Sequence, residues 1–134
     1  MTLQQFYKNL AHYVKPESVF IFDMDGTLVN SDIANFNAYS EALSPTINLA
    51  QRYIAGRITR ASLSELGVSR TMQCSIVSKK REVYSKYLKD TIKMPLACKI
   101  LEIVSKTNMT ILATQSEKQR AIDTLQYHNL HAKF

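Results

Sequence analysis

An unbroken apolar run, Val19-Phe20-Ile21-Phe22, leads directly into Asp23-Met24-Asp25-Gly26-Thr27. Four apolar residues with β-branched and aromatic members are too few for a helix. They predict a strand buried on both faces, as in the middle of a parallel sheet. Aspartate and glycine then favour a turn. Two carboxylates at i and i+2 converge once the chain bends, and their mutual repulsion calls for a cation. Mg²⁺ suits such an oxygen site and retains several waters. Gly26 permits a close backbone approach to an anion or a backbone conformation costly for other residues. Thr27 offers a hydroxyl, and the turn amides can meet phosphate oxygens. The segment is thus built for a carboxylate to attack a phosphate whose charge a metal offsets. Either aspartate alone would read as a solvent-facing turn residue. The strand before the pair and the Gly-Thr after it favour the chemical reading.

The rest of the chain alternates around this segment. Leu3, Phe6, Tyr7, Leu10, Ala11 and Val14 recur at helical spacing and predict a helix that stops before Pro16. A helix with Ile33, Phe36, Tyr39, Ala42 and Leu43 on its apolar side is expected next, ending near Pro45. Leu49, Tyr53 and Ile54 form a short periodic piece broken near Gly56, and Gly67 marks a helix stop between Leu66 and Val68. Met72, Ile76, Val83, Tyr84, Tyr87 and Leu88 predict one longer helix whose other face is basic. Pro95 suits a helix first turn, with Leu96, Ile100, Leu101 and Val104 as its apolar face. Met109 to Ala113 predicts a second strand, and Ser116 with Gln119 a capping box opening the last helix, where Ile122, Leu125 and Tyr127 follow. This order implies an α/β fold: a partial Rossmann-like parallel core (1–31 and 91–134) interrupted by an inserted all-helical cap (32–90).

Charge is concentrated in that insertion. Between Gln51 and Asp90 nine basic residues face three acidic ones, equal to the +6 excess of the whole 134-residue chain. A solvated helical face explains this as well as a surface turned toward an anion. Nucleic acid ranks last, with Lys79, Lys80 and Arg81 as the backbone contacts it would use, because no aromatics interleave the basic run. No apolar run reaches the roughly 18 residues of a membrane span. Cys74 and Cys98, with no CxxC or histidine cluster, read as free thiols of a reducing, cytoplasmic compartment.

Phe22-Asp23-Met24-Asp25-Gly26-Thr27-Leu28 resembles the first signature of the haloacid dehalogenase-like hydrolase superfamily. Asn30, Ser31 and the helical insertion resemble its phosphoglycolate phosphatase and β-phosphoglucomutase branch. The resemblance implies Asp23 as nucleophile and metal ligand. It implies Asp25 as general acid/base, with its carbonyl on Mg²⁺. The chemistry implied is hydrolysis of a phosphomonoester through an aspartyl-phosphate. Ile111-Leu112-Ala113-Thr114-Gln115-Ser116 resembles the second signature, in which Thr114 donates to the phosphate with help from the Gln115 amide. Gly26 and Thr27 complete the phosphate site. The cap implies a small phosphorylated metabolite as substrate, with Arg52, Arg57 and Arg60 as candidate attracting charges.

The family's later lysine and acidic pair have no counterpart. Lys118 is too close to Thr114, Lys133 stands where a third strand usually begins, and no acidic residue follows Asp123. The chain therefore resembles the first half or so of a family member. Weak Mg²⁺ binding and negligible turnover of the isolated chain are expected. So is a strand edge left unpaired and open to self-association. Phosphomutase chemistry of the same branch and non-catalytic binding of a phosphate ligand remain the alternatives.

Overall fold

The computed structural model describes residues 2–43, 47 and 58–134. Helix α1 (Leu3–Tyr13) opens with Thr2 accepting from the Gln5 amide while the Gln5 side chain accepts the Thr2 amide, a reciprocal cap. It ends three residues before Pro16, as expected. Strand β1 (Val19–Phe22) follows. A two-residue strand β2 (Val29–Asn30) precedes helix α2 (Asp32–Leu43). Helices α3 (Arg60–Glu65) and α4 (Arg70–Val83) come next, and α4 runs on as a 3₁₀ helix over Tyr84–Asp90. After β3 (Ile92–Lys93) come α5 (Pro95–Val104), β4 (Met109–Leu112), α6 (Lys118–Tyr127) and a 3₁₀ turn at His131–Lys133.

The core is α/β, with a parallel pair at its centre and an inserted helical block, as the sequence predicts. β1 and β4 pair in parallel, Val19 opposite Met109 through to Phe22 opposite Leu112. The Asn108 side chain fixes the start of β4 by donating to the carbonyls of Lys15 and Ser18, at 2.6 and 3.1 Å. Phe20, Phe22 and Leu112 turn toward Leu101 and Val104 of α5 and Ala121 and Leu125 of α6, with Met24, Leu28, Val29 and Leu130 closing the cluster.

The other sheet face corrects the expectation of a strand buried on both sides. Val19, Ile21, Met109 and Ile111 are exposed, Ile21 by 67% and Met109 by 66%. The core cluster gathers on the Phe20 and Phe22 side, and among the described residues β1 has no partner on its second edge.

The β2–β3 ribbon was not predicted. Val29 pairs with Lys93 and Asn30 with Ile92 in antiparallel sense, and the Met94 amide donates to the Leu28 carbonyl at 2.8 Å. Two-residue strands carry no periodicity, so the pattern had no signal to give. Physically the ribbon fastens the exit and the return of the helical block to one point beside the Asp23–Thr27 turn.

Inside the block, α2 packs on α4 and on the 3₁₀ helix. Tyr39, Ala42, Leu43, Ile58, Leu63, Val68 and Ile76 form its apolar centre. Ala34 and Ala38 meet Val83 and Tyr84 nearer the core domain. Ile33 and Met72, assigned to apolar faces from spacing, are exposed. Gly67 stops α3 as predicted: at φ +75° it lets its own amide reach the Ser64 carbonyl and the Val68 amide the Leu63 carbonyl. The predicted piece around Leu49, Tyr53, Ile54 and Gly56, and the stop at Pro45, lie outside the described residues. No described helix is long and apolar enough to cross a membrane. Cys74 and Cys98 are free thiols.

Leu101 is fully buried where α5 meets the sheet. Leu101→Ala is expected to lower unfolding free energy by about 3 kcal/mol. Urea denaturation would show this as a lower midpoint at unchanged slope.

Candidate active site

β1 and β4 end together. The Ala113 amide donates to the Phe22 carbonyl at 2.8 Å, carrying the parallel pairing one residue past the strands. Asp23 and Thr114 therefore leave the sheet at the same, carboxyl end.

The turn after β1 is wound around one carbonyl. Met24 O accepts the amides of Thr27, Leu28 and Val29 at 3.2, 3.0 and 3.0 Å, and the Gly26 amide donates to Val29 O at 2.8 Å. The Met24 side chain is fully buried and anchors the turn from below, leaving Asp23 exposed and Asp25 half-buried. Gly26 sits at φ +80°, a conformation that strains any residue with a Cβ. This winding corrects one expectation. The amides of Gly26, Thr27, Leu28 and Val29 are satisfied within the turn, so they are not free to meet an anion. The Met24 and Asp25 amides have no backbone acceptor among the described residues.

Asp25 is the centre of a polar cluster. One carboxylate oxygen accepts from the Ser31 hydroxyl, and the other from the Ser116 hydroxyl and the Arg120 guanidinium. Asn35 of α2 joins by donating to Ser31 Oγ at 3.2 Å, and its side-chain carbonyl lies 3.4 Å from Arg120. Burial alone pushes the Asp25 carboxyl up. The Arg120 charge and the hydrogen bonds from Ser116, Ser31 and Arg120 outweigh it, so Asp25 titrates below the ordinary carboxylate range. Asp25 is thereby held ionised.

Ser116 corrects a second expectation. It does not cap α6; Glu117 does, accepting the amides of Gln119 and Arg120 at 3.0 Å each. Released from the cap, Ser116 turns its hydroxyl to Asp25, and its own amide donates to Thr114 Oγ1 at 3.1 Å. That amide links the two signature segments: Thr114 holds Ser116, and Ser116 holds Asp25.

Asp23 and Gln115 make no side-chain hydrogen bond among the described residues, and Gln115 is exposed. Thr27 is half-buried. Arg60 stands at the start of α3 with its guanidinium 3.8 Å from Cys74 Sγ. Arg52 and Arg57 lie outside the described residues.

Arg120, Asn35 and the Asp25-directed role of Ser116 escaped sequence reasoning. The one available signal was spacing. Ser116 and Arg120 stand four apart and face the same way, as neighbours on a helix do. Lys80 corrects a third expectation. It belongs to the predicted basic outer face, yet its residue is only 8% exposed, its ammonium 5.2 Å from the Tyr39 ring centre and 4.5 Å from that of Tyr84.

A magnesium ion would find oxygen ligands only. The Asp23 carboxylate and the Asp25 carbonyl accept no described hydrogen bond, which suits a hard cation that keeps waters. Among the described residues no group of three His, Cys, Asp or Glu gathers to complete the shell. The fit is that of a partial, water-rich site.

Arg120 and Asp25 are each 12% exposed, so removing one partner strands the other. Arg120→Met is expected to destabilise the protein by about 3 kcal/mol at pH 7. Because the folded carboxyl titrates low, this stabilisation is present above the ordinary value of 3.8 and is lost as pH falls through the folded one. Urea midpoints of wild type and variant should differ most near neutrality and converge only as pH falls below the ordinary carboxylate value toward the folded one.

No family model and no curated protein matches the chain. Solved structures do. A haloacid dehalogenase-like family hydrolase from Streptococcus pneumoniae aligns with a TM-score of 0.68 at 22% identity, over 89% of this chain and 59% of its own. A Clostridium difficile protein named as a candidate phosphatase aligns at 0.68 and 23% identity, over 90% and 59%. A Lactobacillus plantarum protein named as a candidate phosphoglycolate phosphatase aligns at 0.66 and 17%, over 88% and 59%. The chain thus spans about three-fifths of the length of these structures. At such identities the likeness concerns architecture alone: a parallel α/β core with an inserted helical block.

Proposed function

We propose that the protein is a Mg²⁺-dependent phosphomonoester hydrolase working through an aspartyl-phosphate on Asp23. The observation that carries this reading is the parallel register of β1 and β4. It sets an exposed carboxylate without donors, Asp23, and a hydroxyl, Thr114, at one end of neighbouring strands, beside the ionised Asp25.

In this reading Asp23 attacks phosphorus and the bond to the ester oxygen breaks; with Asp25 held ionised, the leaving oxygen takes its proton from water. The second half of the cycle suits the geometry directly. Asp25, kept ionised by Ser31, Ser116 and Arg120, accepts a proton from the water that opens the acyl-phosphate. Those three residues position Asp25. Thr114, Gly26, Thr27 and Gln115 border the phosphate position, where hydroxyls and the Met24 and Asp25 amides can donate. When bound by the Asp23 carboxylate and the Asp25 carbonyl, Mg²⁺ offsets the negative charge shared by nucleophile and phosphate.

We assign 1–31 and 91–134 to the core and 32–90 to a cap, a division supported by the β2–β3 ribbon that ties both ends of the insertion together. The basic insertion, with Arg52, Arg57 and Arg60, favours a small phosphorylated metabolite as substrate. Phosphoryl transfer within such a metabolite uses the same residues and is the second reading.

The test is capture of a phosphoryl mimic. Incubated with Mg²⁺ and beryllium fluoride, the chain is expected to form an adduct on Asp23 visible by ¹⁹F magnetic resonance. Asp23→Asn should abolish it and Asp123→Asn should not. No adduct in the wild type, or one that survives Asp23→Asn, would remove Asp23 from the nucleophile's role.

A further inference from the structure

A cleft of about 450 Å³ opens between β3, α5 and the end of α6, and none of its lining residues belongs to the Asp23 site. Three ammoniums border it, Lys93, Lys99 and Lys133, against the one carboxylate of Glu102. Glu102 is already paired with Lys99 at 2.9 Å. Lys93 has no carboxylate partner among the described residues, and its charge bears on two neighbours in the cleft wall, Cys98 and His128. Surplus positive charge thus lines a space of the size that small-molecule sites occupy.

His128 makes the cleft more than a basic surface. The residue is only 8% exposed, and its Nε2 lies 2.7 Å from the Thr91 hydroxyl. That hydroxyl donates its single proton to the Leu88 carbonyl at 2.5 Å, so toward His128 it can only accept. Nε2 must therefore carry the ring proton. Burial and the Lys93 charge lower the imidazole's pKa, so the ring is neutral at pH 7 and Nδ1 keeps a bare lone pair. Nδ1 accepts no hydrogen bond among the described residues. Nor is it one of the sealed, unpaired atoms, which among those residues are Ser40 Oγ and the Tyr84 hydroxyl. The ring packs edge-on against Tyr127, and the cleft is the open space it lines. A largely buried imidazole, fixed in one tautomer with its acceptor open to a cavity, suits a ligand that brings a donor.

Cys98 leaves this chemistry unchanged. Its thiol donates to the Leu28 carbonyl at 3.3 Å, and burial pushes its pKa up, so it is a protonated part of the wall.

We propose that this cleft is a second ligand site, for a small metabolite that carries a carboxylate or phosphate beside a hydroxyl or N–H group. The acid lies against Lys93 and Lys133, and His128 Nδ1 receives the donor. An acid without a donor leaves Nδ1 unmatched and binds more weakly. The site depends on neither Asp23 nor Mg²⁺.

Long-range nitrogen–proton magnetic resonance of the unliganded chain near pH 7 tests the tautomer first. His128 is expected with its proton on Nε2; a proton on Nδ1 would overturn the site. Calorimetric titrations without Mg²⁺ would then compare two pairs differing in hydroxyls: citrate against tricarballylate, and α-glycerophosphate against propyl phosphate. In at least one pair the hydroxylated acid should bind about ten-fold tighter and shift the His128 Nδ1 resonance, the responding pair distinguishing carboxylate from phosphate. Lys93→Met, at an exposed position, should weaken that binding about ten-fold. His128→Gln retains a donor for Thr91 and removes the Nδ1 acceptor. It should erase the preference within the pair and leave the acid lacking the hydroxyl within about two-fold. Equal affinities within both pairs, binding of none of the four, or affinity unmoved by Lys93→Met would each overturn the proposal. So would a preference that survives His128→Gln. Should that variant not fold, the wild type decides: an Nδ1 resonance that stays put at saturation would sink the site.

Discussion

Everything at the candidate site follows from the parallel pairing of β1 with β4. Parallel strands share a carboxyl end, so a residue just past one strand and a residue just past the other must lie side by side. Here Asp23 lies one residue past β1 and Thr114 two past β4, and the amide of Ala113 on the carbonyl of Phe22 extends the shared end by one step. An antiparallel pairing of the same strands would separate them by the strand length, roughly 13 Å for four residues. A slip of one residue would also turn Phe20 and Phe22 out of the core, which explains why the register is firm: burial of those rings specifies it.

Around that pairing the chain arranges its polar groups in two tiers. Asp23 is left open, with no described donor. Asp25, two residues on, is enclosed by hydroxyls and a guanidinium drawn from segments far apart in sequence: Ser31 before α2, and Ser116 and Arg120 at the start of α6. The fully buried Met24 between them makes the difference, because it turns the backbone so that the two carboxylates face unlike surroundings. One group is available to a ligand and the other is held in a fixed state of ionisation. The helical block adds Lys80 and Tyr84 from above, so insertion and core meet across charged groups as well as across the apolar contact of Ala34 and Ala38 with Val83 and Tyr84.

Much of this was legible from local pattern. The run Val19–Phe22, the turn residues after it, the strand before Thr114 and the stop at Gly67 each carry their signal within a few neighbours, and each is where it was expected. What local pattern could not show is partnership at a distance. Arg120 is 95 residues from Asp25, and nothing in its own helix marks it as an ion-pair partner. Lys80 sits in a run of three basic residues that reads as a solvated face, yet helical phase turns the middle one inward between two tyrosines. Ser116 has the spacing of a capping box, but Glu117 reaches the same amides and the hydroxyl finds a charged acceptor instead. The exposed face of β1 failed for a related reason: an apolar run states that both faces can be buried, and the helices of the described chain cover one.

The register is therefore the quantity to measure. In an isotopically labelled chain, backbone nuclear Overhauser contacts between the two strands should follow a parallel ladder running from Val19 beside Met109 to Phe22 beside Leu112, with the Ala113 amide protected by Phe22. An antiparallel ladder would part Asp23 from Thr114 and leave the proposed chemistry without a place to occur.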